Sequence, residues 1–545
     1  MFASSAHCGD NLSPSDDLIL SVPQQLEASY RRFSSRPAIL TAGGWKSFLE
    51  LEHAAGHAAA YLTANGARRG DRVLLALRTS AECRVLEYAV LGYGFVRVDI
   101  SPRLHPKEIA RIAVDSGSRL IYCESGAVHS VRAELLSVEY ESVVVDIATI
   151  DLSESTKVVE TTSPIPYANY PADIEPSSPA MLMYTSGSTG SPKGATVTHA
   201  GWIAQTARSL GVLPLIDEQD VVLAVAQTPH LGGSIALNCA IAGASTIFLP
   251  HFDPKEVIDV IDANGVTILP LASTMLELLT DELVDSGRRL LGLRAVPYGG
   301  SGIRERSLEA AARVLPGVLF QYFGLAEALA PLACLTAVDH DAAVAVGVAA
   351  NAMARKRLRS AGAWLPGINH KIVAGELIVR GEVVTPGYWG GSADGPDVDG
   401  WFHTKDLASF DEDGYLYVTD RVDDVIVSGG FKVRPSEVEQ AIVSVAGLKD
   451  VVVLGTSHPK WGEGVTAVVV LGDSVALRFA TSEGRRELLA IIVEACTSKL
   501  ANYKKPVTVR VVKEIPRNAA GKPDRQKLRE EFSEHKTLDH IQIER

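Results

Sequence analysis

Residues 181–200 read MLMYTSGSTGSPKGATVTHA. A short apolar run, AMLMY, leads into a loop built from glycines, hydroxyl side chains and one lysine. Gly187, Gly190 and Gly194 let backbone amides approach an anion with no side chain in the way. Thr185, Ser186, Ser188 and Thr189 add hydroxyl donors, and Lys193 adds a mobile positive charge. A strand feeding such a loop is how a phosphate site is built in an α/β sheet. A surface turn rich in small residues is the alternative for this stretch taken alone. The Walker pattern is not met, because Ser191 and Pro192 stand between Gly190 and Lys193, and this argues against a P-loop ATPase or kinase.

The flanking sequence alternates helix and strand. In DPKEVIDVIDANGVTILPL (253–271), Asp253 is placed to cap a helix and Pro254 suits its first turn. Val257, Ile258 and Ile261 share one face, Gly265 ends the helix, and VTIL reads as a buried strand. VRVDISPRLHPKEIARIAVDSGSRLIY (96–122) repeats the plan, with Ile109, Ile112 and Ala113 facing inward. Toward the C-terminus, RPSEVEQAIVSVAGLKDVVVLG (434–455) reads as a helix opened by a capping box of Ser436 and Glu439, then a strand. RRELLAIIVEACTSKL and VTVRVV add another helix and strand. The segment TDRVDDVIVSGG (419–430) ahead of this module is charged and ends in Gly429-Gly430, a candidate hinge. The fold class expected is α/β: a large N-terminal domain of stacked, mostly parallel α/β sheets over residues 1–422, and a small mobile C-terminal α+β domain over 423–545.

Composition narrows the function. The chain has 545 residues and a net charge of −13 with no dense basic run, which disfavours non-specific binding to nucleic acid or anionic membrane. Its cysteines (Cys8, Cys83, Cys123, Cys239, Cys334, Cys496) have no CxxC spacing, so they suggest buried apolar thiols and not a zinc or redox site. The N-terminus lacks the basic and apolar regions of a secretory signal, and no apolar run reaches the length of a membrane span. The expected location is cytoplasmic, with no nucleic-acid partner. A homodimer is the assembly left open.

YTSGSTGSPKG (184–194) closely resembles the signature loop of the adenylate-forming superfamily, which holds acyl-CoA synthetases, peptide-synthetase adenylation domains and luciferases. The resemblance continues from about residue 25 to residue 530. QYFGLAEA (321–328), with Tyr322, Phe323, Gly324 and Ala326, resembles the aromatic-Gly-x-Thr-Glu element. It implies that Phe323 stacks near adenine and that Glu327 holds Mg²⁺. YGGSGI (298–303) resembles the adenine-side turn, around Gly300 and Ser301. GWFHTKDLA resembles GWxxTGD and implies Asp406 on the ribose hydroxyls. DRVDDVIVSGGFKV is similar to GRxxDxIxxGG, which gives Arg421 to ribose or phosphate and makes Asp423 the hinge. PRNAAGKPDRQKLR is similar to PR-x-x-x-GK and implies Lys522 as the catalytic lysine.

The implied reaction is attack of a carboxylate on the α-phosphorus of ATP, which brings two anions together. Mg²⁺ on Glu327, the loop amides, Lys193 and Lys522 would neutralise charge as pyrophosphate leaves. The resemblance further implies a second step. The C-terminal domain turns, Lys522 leaves, and Gly429, Gly430, Phe431 and Lys432 line a thiol tunnel. HPKWGEGVTAVVV (458–470) resembles a stretch typical of CoA ligases and favours coenzyme A as acceptor. An acyl carrier protein is the alternative acceptor, and a non-catalytic nucleotide-binding descendant is the alternative class.

The acid is addressed by QTPHLGGSIALNCAIAGAS (227–245). Pro229-His230 stand where amino-acid-activating members have Phe-Asp, so an α-amino acid lacks its counter-charge. By the same resemblance, His230 stands where acyl- and aryl-CoA ligases place an aromatic or histidine gate beside the carboxylate; a buried core histidine is the alternative. Gly232 and Gly233, with Gly299, Gly300 and Gly302, leave room for a carbon skeleton bound by apolar contact. Three residues depart from the pattern. Ala326 replaces a Thr that meets phosphate, and Lys405 replaces the Gly before Asp406, adding bulk and charge near the ribose. Ser273 stands where PxT is usual.

Overall fold

The computed structural model describes residues 21–150, 173–185, 192–225, 231–345, 351–391, 394–443, 445–472, 475, 481–518, 522–534 and 540–542. Its first sheet has six strands in the order Val143–Asp146, Leu120–Cys123, Arg72–Ala76, Val96–Asp99, Pro179–Thr185, Lys193–Thr198. All neighbours are parallel except the last pair, which forms an antiparallel hairpin around the loop quoted above. The parallel strands are buried on both faces, as crossover helices require. The crossover helix Pro106–Ser116 starts at a capping box of His105 and Glu108 and stops at Gly117, where φ is +67°. It buries Ile109, Ile112 and Ala113, the face expected from their spacing.

A second sheet orders Gly44–Ser47, Pro37–Thr41, Ser245–Phe248 and Val221–Ala224. A third orders Leu271–Ala272, Val296–Gly299, Leu319–Phe323, Ala333–Leu335 and Ala363–Trp364. The helix Pro254–Asn264 lies between them in sequence. The Asp253 carboxylate accepts from Glu256 N at 3.0 Å, and Gly265 closes the helix at φ +62°. The strand expected at VTIL is reduced to single bridges from Ile268 to Val222 and Ala295. Pro270 has no N–H to continue the ladder, so regular pairing resumes only at Leu271–Ala272. Ile268 nonetheless joins the second sheet to the third.

An antiparallel sheet, Asn369–Val373, Glu376–Arg380, Phe402–Phe410 and Leu416–Arg421, leads to a 3₁₀ turn at Val422–Asp424. The strand after that turn, Ile426–Ser428, belongs to the C-terminal sheet, with Phe431–Val433, Leu448–His458, Gly462–Leu471, Thr508–Val512 and His540–Gln542. Helices Pro435–Ile442 and Ser482–Thr497 pack on one face of this sheet and Arg525–Glu534 on the other, so the C-terminal module has its own core.

Two local expectations are corrected here. The helix at Pro435 is opened by Arg434, whose N–H donates to Glu437 at 3.1 Å, and not by Ser436 and Glu439. Pro435 takes the first helical position, which moves the start of the helix upstream. Ser436 is freed to bond Asp420, while Glu439 accepts from Val453 N and Arg525. Gly429-Gly430, read as a hinge, is the two-residue turn of a β-hairpin in which Ser428 pairs with Phe431. Both glycines have positive φ, +59° and +84°, as a tight hairpin turn demands.

Among the described residues no helix is long and apolar enough to cross a membrane. Cys83, Cys123, Cys239, Cys334 and Cys496 are all buried free thiols, as expected, and Cys8 lies outside the described residues.

Candidate active site

The loop tip, with Ser186, Gly187, Ser188, Thr189 and Gly190, lies outside the described residues, as does the side chain of Thr185. Its base is the hairpin of Pro179–Thr185 and Lys193–Thr198. Tyr184 pairs with Gly194 across the hairpin, and a Cβ on Gly194 would fall 2.9 Å from the Tyr184 ring. A side chain at Gly194 would meet that ring, so the hairpin supplies a packing reason for glycine there. Tyr184 donates in turn to Asp115 at 2.5 Å. Lys193 pairs with Asp394, and its ammonium lies 5.6 Å from the centre of the Tyr388 ring.

The strand Leu319–Phe323 ends at the QYFGLAEA element. Strand alternation separates its two aromatics. Phe323 is half-buried, whereas Tyr322 is 2% exposed and donates to the Ser209 carbonyl at 2.6 Å. The Tyr322 side chain is thus committed to the core, and its reading as a nucleotide contact is corrected. Gly324 faces the doubled-back loop, where a Cβ would fall 2.6 Å from the Ala330 backbone. The turn places Glu327 so that its carbonyl accepts from Thr385 N at 2.7 Å and its Oε1 accepts from the Tyr388 hydroxyl at 2.8 Å. Ala326 is half-buried and lines a narrow crevice with Thr196, Thr198 and Thr385.

Gly299 is crowded: a Cβ would lie 2.4 Å from the Tyr322 carbonyl oxygen and 2.8 Å from Leu231 Cδ2. Gly300, at φ +91°, and Gly302 face open space. This turn is held by Ser273, which donates to the carbonyls of Ser301 at 2.7 Å and Gly299 at 3.3 Å. A serine suffices there, so the departure at Ser273 has a local backbone role. Gly232 and Gly233 are buried in the first turn of the helix Leu231–Ile241, while Pro229 and His230 lie outside the described residues.

Asp406 and Arg421 face each other across neighbouring strands, with Arg421 Nη1 3.4 Å from Asp406 Oδ1. Asp406 is 4% exposed, and burial raises its pKa against the opposing pull of Arg421 and Lys522. Lys522 arrives from the C-terminal module, with its backbone N–H on Asn518 Oδ1 at 3.0 Å. The residue keeps exposed surface, yet the protein around its ammonium removes part of its hydration and lowers its pKa. Arg421 pushes the same way, while Asp406 and Glu327 oppose it. Glu327, Asp406, Arg421 and Lys522 therefore share one electrostatic site.

Lys405 adopts φ +60°, a left-handed conformation that glycine accepts freely. Its backbone N–H donates to Glu376 at 2.9 Å and its ammonium lies 3.4 Å from Asp423. The extra charge expected near the ribose is thus paired with the hinge candidate. In the C-terminal module, Gly429 sits against Trp461, exposed Phe431 stacks on Tyr503 at 4.7 Å, and Lys432 is exposed.

A magnesium ion shared with a nucleotide needs only one or two carboxylates beside phosphate oxygens and water. Glu327 fits that demand, since the phenol occupies one of its oxygens. Among the described residues, no three His, Cys, Asp or Glu gather into a protein-only metal cage. Tyr388 and Thr385, in TPGYWGG (385–391), are missed by sequence reasoning. The only signal in the sequence is an aromatic pair set among glycines.

Residues 26–389 match the AMP-binding enzyme family, and residues 437–522 match the AMP-binding enzyme C-terminal domain. The chain is 29% identical over 521 residues to the fatty acid–[acyl-carrier-protein] ligase ScoC of Streptomyces coeruleorubidus, covering 91% of this chain and 93% of that protein. It is 33% identical over 389 residues to the medium/long-chain-fatty-acid–CoA ligase FadD8 of Mycobacterium tuberculosis, covering 67% and 63%. The structure of o-succinylbenzoate CoA synthetase from Bacillus subtilis, in complex with its acyl-adenylate intermediate, is similar with a TM-score of 0.76. Its identity is 25%, over 96% of this chain and 99% of that one. The chain belongs to the AMP-binding enzyme family, within the adenylate-forming superfamily, and is an AMP-forming ligase.

Proposed function

We propose that this AMP-binding enzyme joins a non-amino carboxylic acid to the thiol of coenzyme A in two steps. First the carboxylate attacks the α-phosphorus of ATP, forming an acyl-adenylate and releasing pyrophosphate. The thiol sulfur then attacks the acyl carbon, AMP leaves with the electron pair of the broken C–O bond, and the thiol proton goes to solvent.

The observation that carries this reading is the convergence of Lys522 with Asp406, Arg421 and Glu327 from two separately cored modules. In the proposed roles Asp406 binds the ribose hydroxyls, Arg421 the ribose or phosphate, and Phe323 and the Gly300–Ser301 turn the adenine. Lys193 and Lys522 hold negative charge as it builds on the departing phosphate oxygens. Magnesium, held by Glu327, would supply further charge neutralisation. Holding both reactants in line removes much of the entropic barrier, and no protein nucleophile is needed. Residues 1–422 would form the adenylating domain. Residues 423–545 would turn about Asp423 and present Gly429, Gly430, Phe431 and Lys432 to the thiol.

Leu231, Gly232, Gly233 and the open side of Gly302 supply an apolar wall for the acid, with His230 beside its carboxylate. A carrier-protein phosphopantetheine is the second reading of the acceptor, favoured by the likeness to ScoC along nearly the whole chain. Mass spectrometry over a carboxylic acid panel with ATP and Mg²⁺ tests both. Thioester formed with free coenzyme A supports the first reading. Adenylate that goes on to thioester only with a holo carrier protein supports the second, and no adenylate with any acid overturns both.

A further inference from the structure

The segment Val384–Trp389 touches both halves of the phosphate site. On the loop side, Trp389 N donates to the Gly194 carbonyl at 2.8 Å, and Thr196 N donates to the Gly387 carbonyl at 3.0 Å. On the carboxylate side, Thr385 N donates to the Glu327 carbonyl at 2.7 Å, while the Thr385 hydroxyl reaches back to the Thr196 carbonyl at 2.9 Å. Tyr388 stands in the middle: its ring faces the Lys193 ammonium and its hydroxyl donates to Glu327 Oε1.

We propose that Tyr388 is a positioning residue that couples the loop lysine to the metal-binding carboxylate, using its hydroxyl to hold Glu327 Oε1 so that Oε2 is the oxygen offered to the cation. The inference rests on the adenylation reading above. A free glutamate rotates about its last bond and can chelate with either oxygen or both. A phenol on one oxygen removes that freedom and presents a single oxygen, as a magnesium ion that keeps most of its shell for phosphate and water requires. A phenol, with an ordinary pKa of about 10, is a hydrogen-bond donor throughout the neutral range. The ring plays a separate part. With Asp394 it keeps Lys193 beside the carboxylate that the same ligand must reach.

The two parts predict separable effects. Tyr388→Phe keeps the ring and removes only the hydroxyl, whereas Tyr388→Leu removes both. Calorimetric titration of the full chain with ATP, with and without MgCl₂, reads them. For Tyr388→Phe, binding in Mg²⁺ should weaken about ten-fold, the lower end of what a hydrogen bond to a charged group is worth. Binding without Mg²⁺ should stay within about two-fold of the parent, and that arm also reports that the variant is folded. Tyr388→Leu should weaken both. Equal or tighter Mg²⁺-ATP binding by Tyr388→Phe, or an equal loss with and without Mg²⁺, would overturn the proposal while leaving the adenylation reading standing. A parent chain that binds ATP in neither condition would overturn both.

Discussion

Arg421 faces Asp406 across two antiparallel strands, Nη1 3.4 Å from Oδ1, with the carboxylate buried and the guanidinium exposed. Burial raises the pKa of this carboxylate, and Arg421 and then Lys522 pull it back down. Asp406→Asn keeps the shape and removes the charge. Loss of a charge-assisted hydrogen bond is worth about 10- to 100-fold. The KM for ATP in pyrophosphate exchange should rise by that factor, with the KM for the acid little changed. An unaltered KM for ATP would remove Asp406 from the nucleotide site.

Lys522 loses its proton more readily than an ordinary lysine, whose pKa is 10.5. In the proposed mechanism adenylation needs the ammonium, so the rate of pyrophosphate exchange should fall on the alkaline side below that value. Lys522→Arg, which stays charged throughout, should remove this alkaline limb even if its rate is lower. An alkaline limb unmoved in the arginine variant would assign it to another group.

His199 is buried, and burial holds its pKa down at about 4; its Nδ1 accepts from Val22 N at 3.2 Å. The unfolded chain therefore binds the proton first, between its own value of 6.5 and 4. Stability from this residue is complete above 6.5 and is lost as pH falls through that window, by about 2 kcal/mol at pH 5. Urea midpoints measured from pH 7 to pH 5 should fall more steeply for the parent than for His199→Asn, whose amide oxygen stands where Nδ1 accepts the same bond. Parallel slopes would contradict this.

Lys405 holds a left-handed backbone, a conformation that costs a residue with a Cβ about 1–2 kcal/mol. Its ion pair with Asp423 is exposed on both sides and returns about 0–1 kcal/mol. Lys405→Gly should therefore raise stability by about 1 kcal/mol in urea unfolding. A loss of stability would mean that the ion pair outweighs the strain.

What could be read from the sequence was local. The cap at Asp253, the apolar stripe of Val257, Ile258 and Ile261 and the stop at Gly265 lie within thirteen residues, and the structure keeps all of them. Ser436 and Glu439 also matched a local pattern, but Pro435 moved the helix start and Asp420 claimed the serine. Tyr322 and Phe323 look alike as neighbours in sequence, and only strand alternation buries the first fully and leaves the second half-buried. Tyr388 was illegible because its value lies in two contacts, one to Glu327 and one to Lys193, both remote in sequence. Lys522 was legible only through resemblance, since nothing near it in sequence announces Asp406 as its neighbour.

In the proposed mechanism Lys522 serves the first step and not the second. The direct measurement compares Lys522→Ala with the parent, using an acid identified in the panel, in two assays on one preparation. These are exchange of labelled pyrophosphate into ATP, and thioester formation from supplied acyl-adenylate and coenzyme A. Exchange should fall at least about a hundred-fold, the scale of removing one preorganised charge-stabilising donor, while thioester formation keeps most of its rate. Equal loss in both assays, or exchange that survives the substitution, would contradict that mechanism.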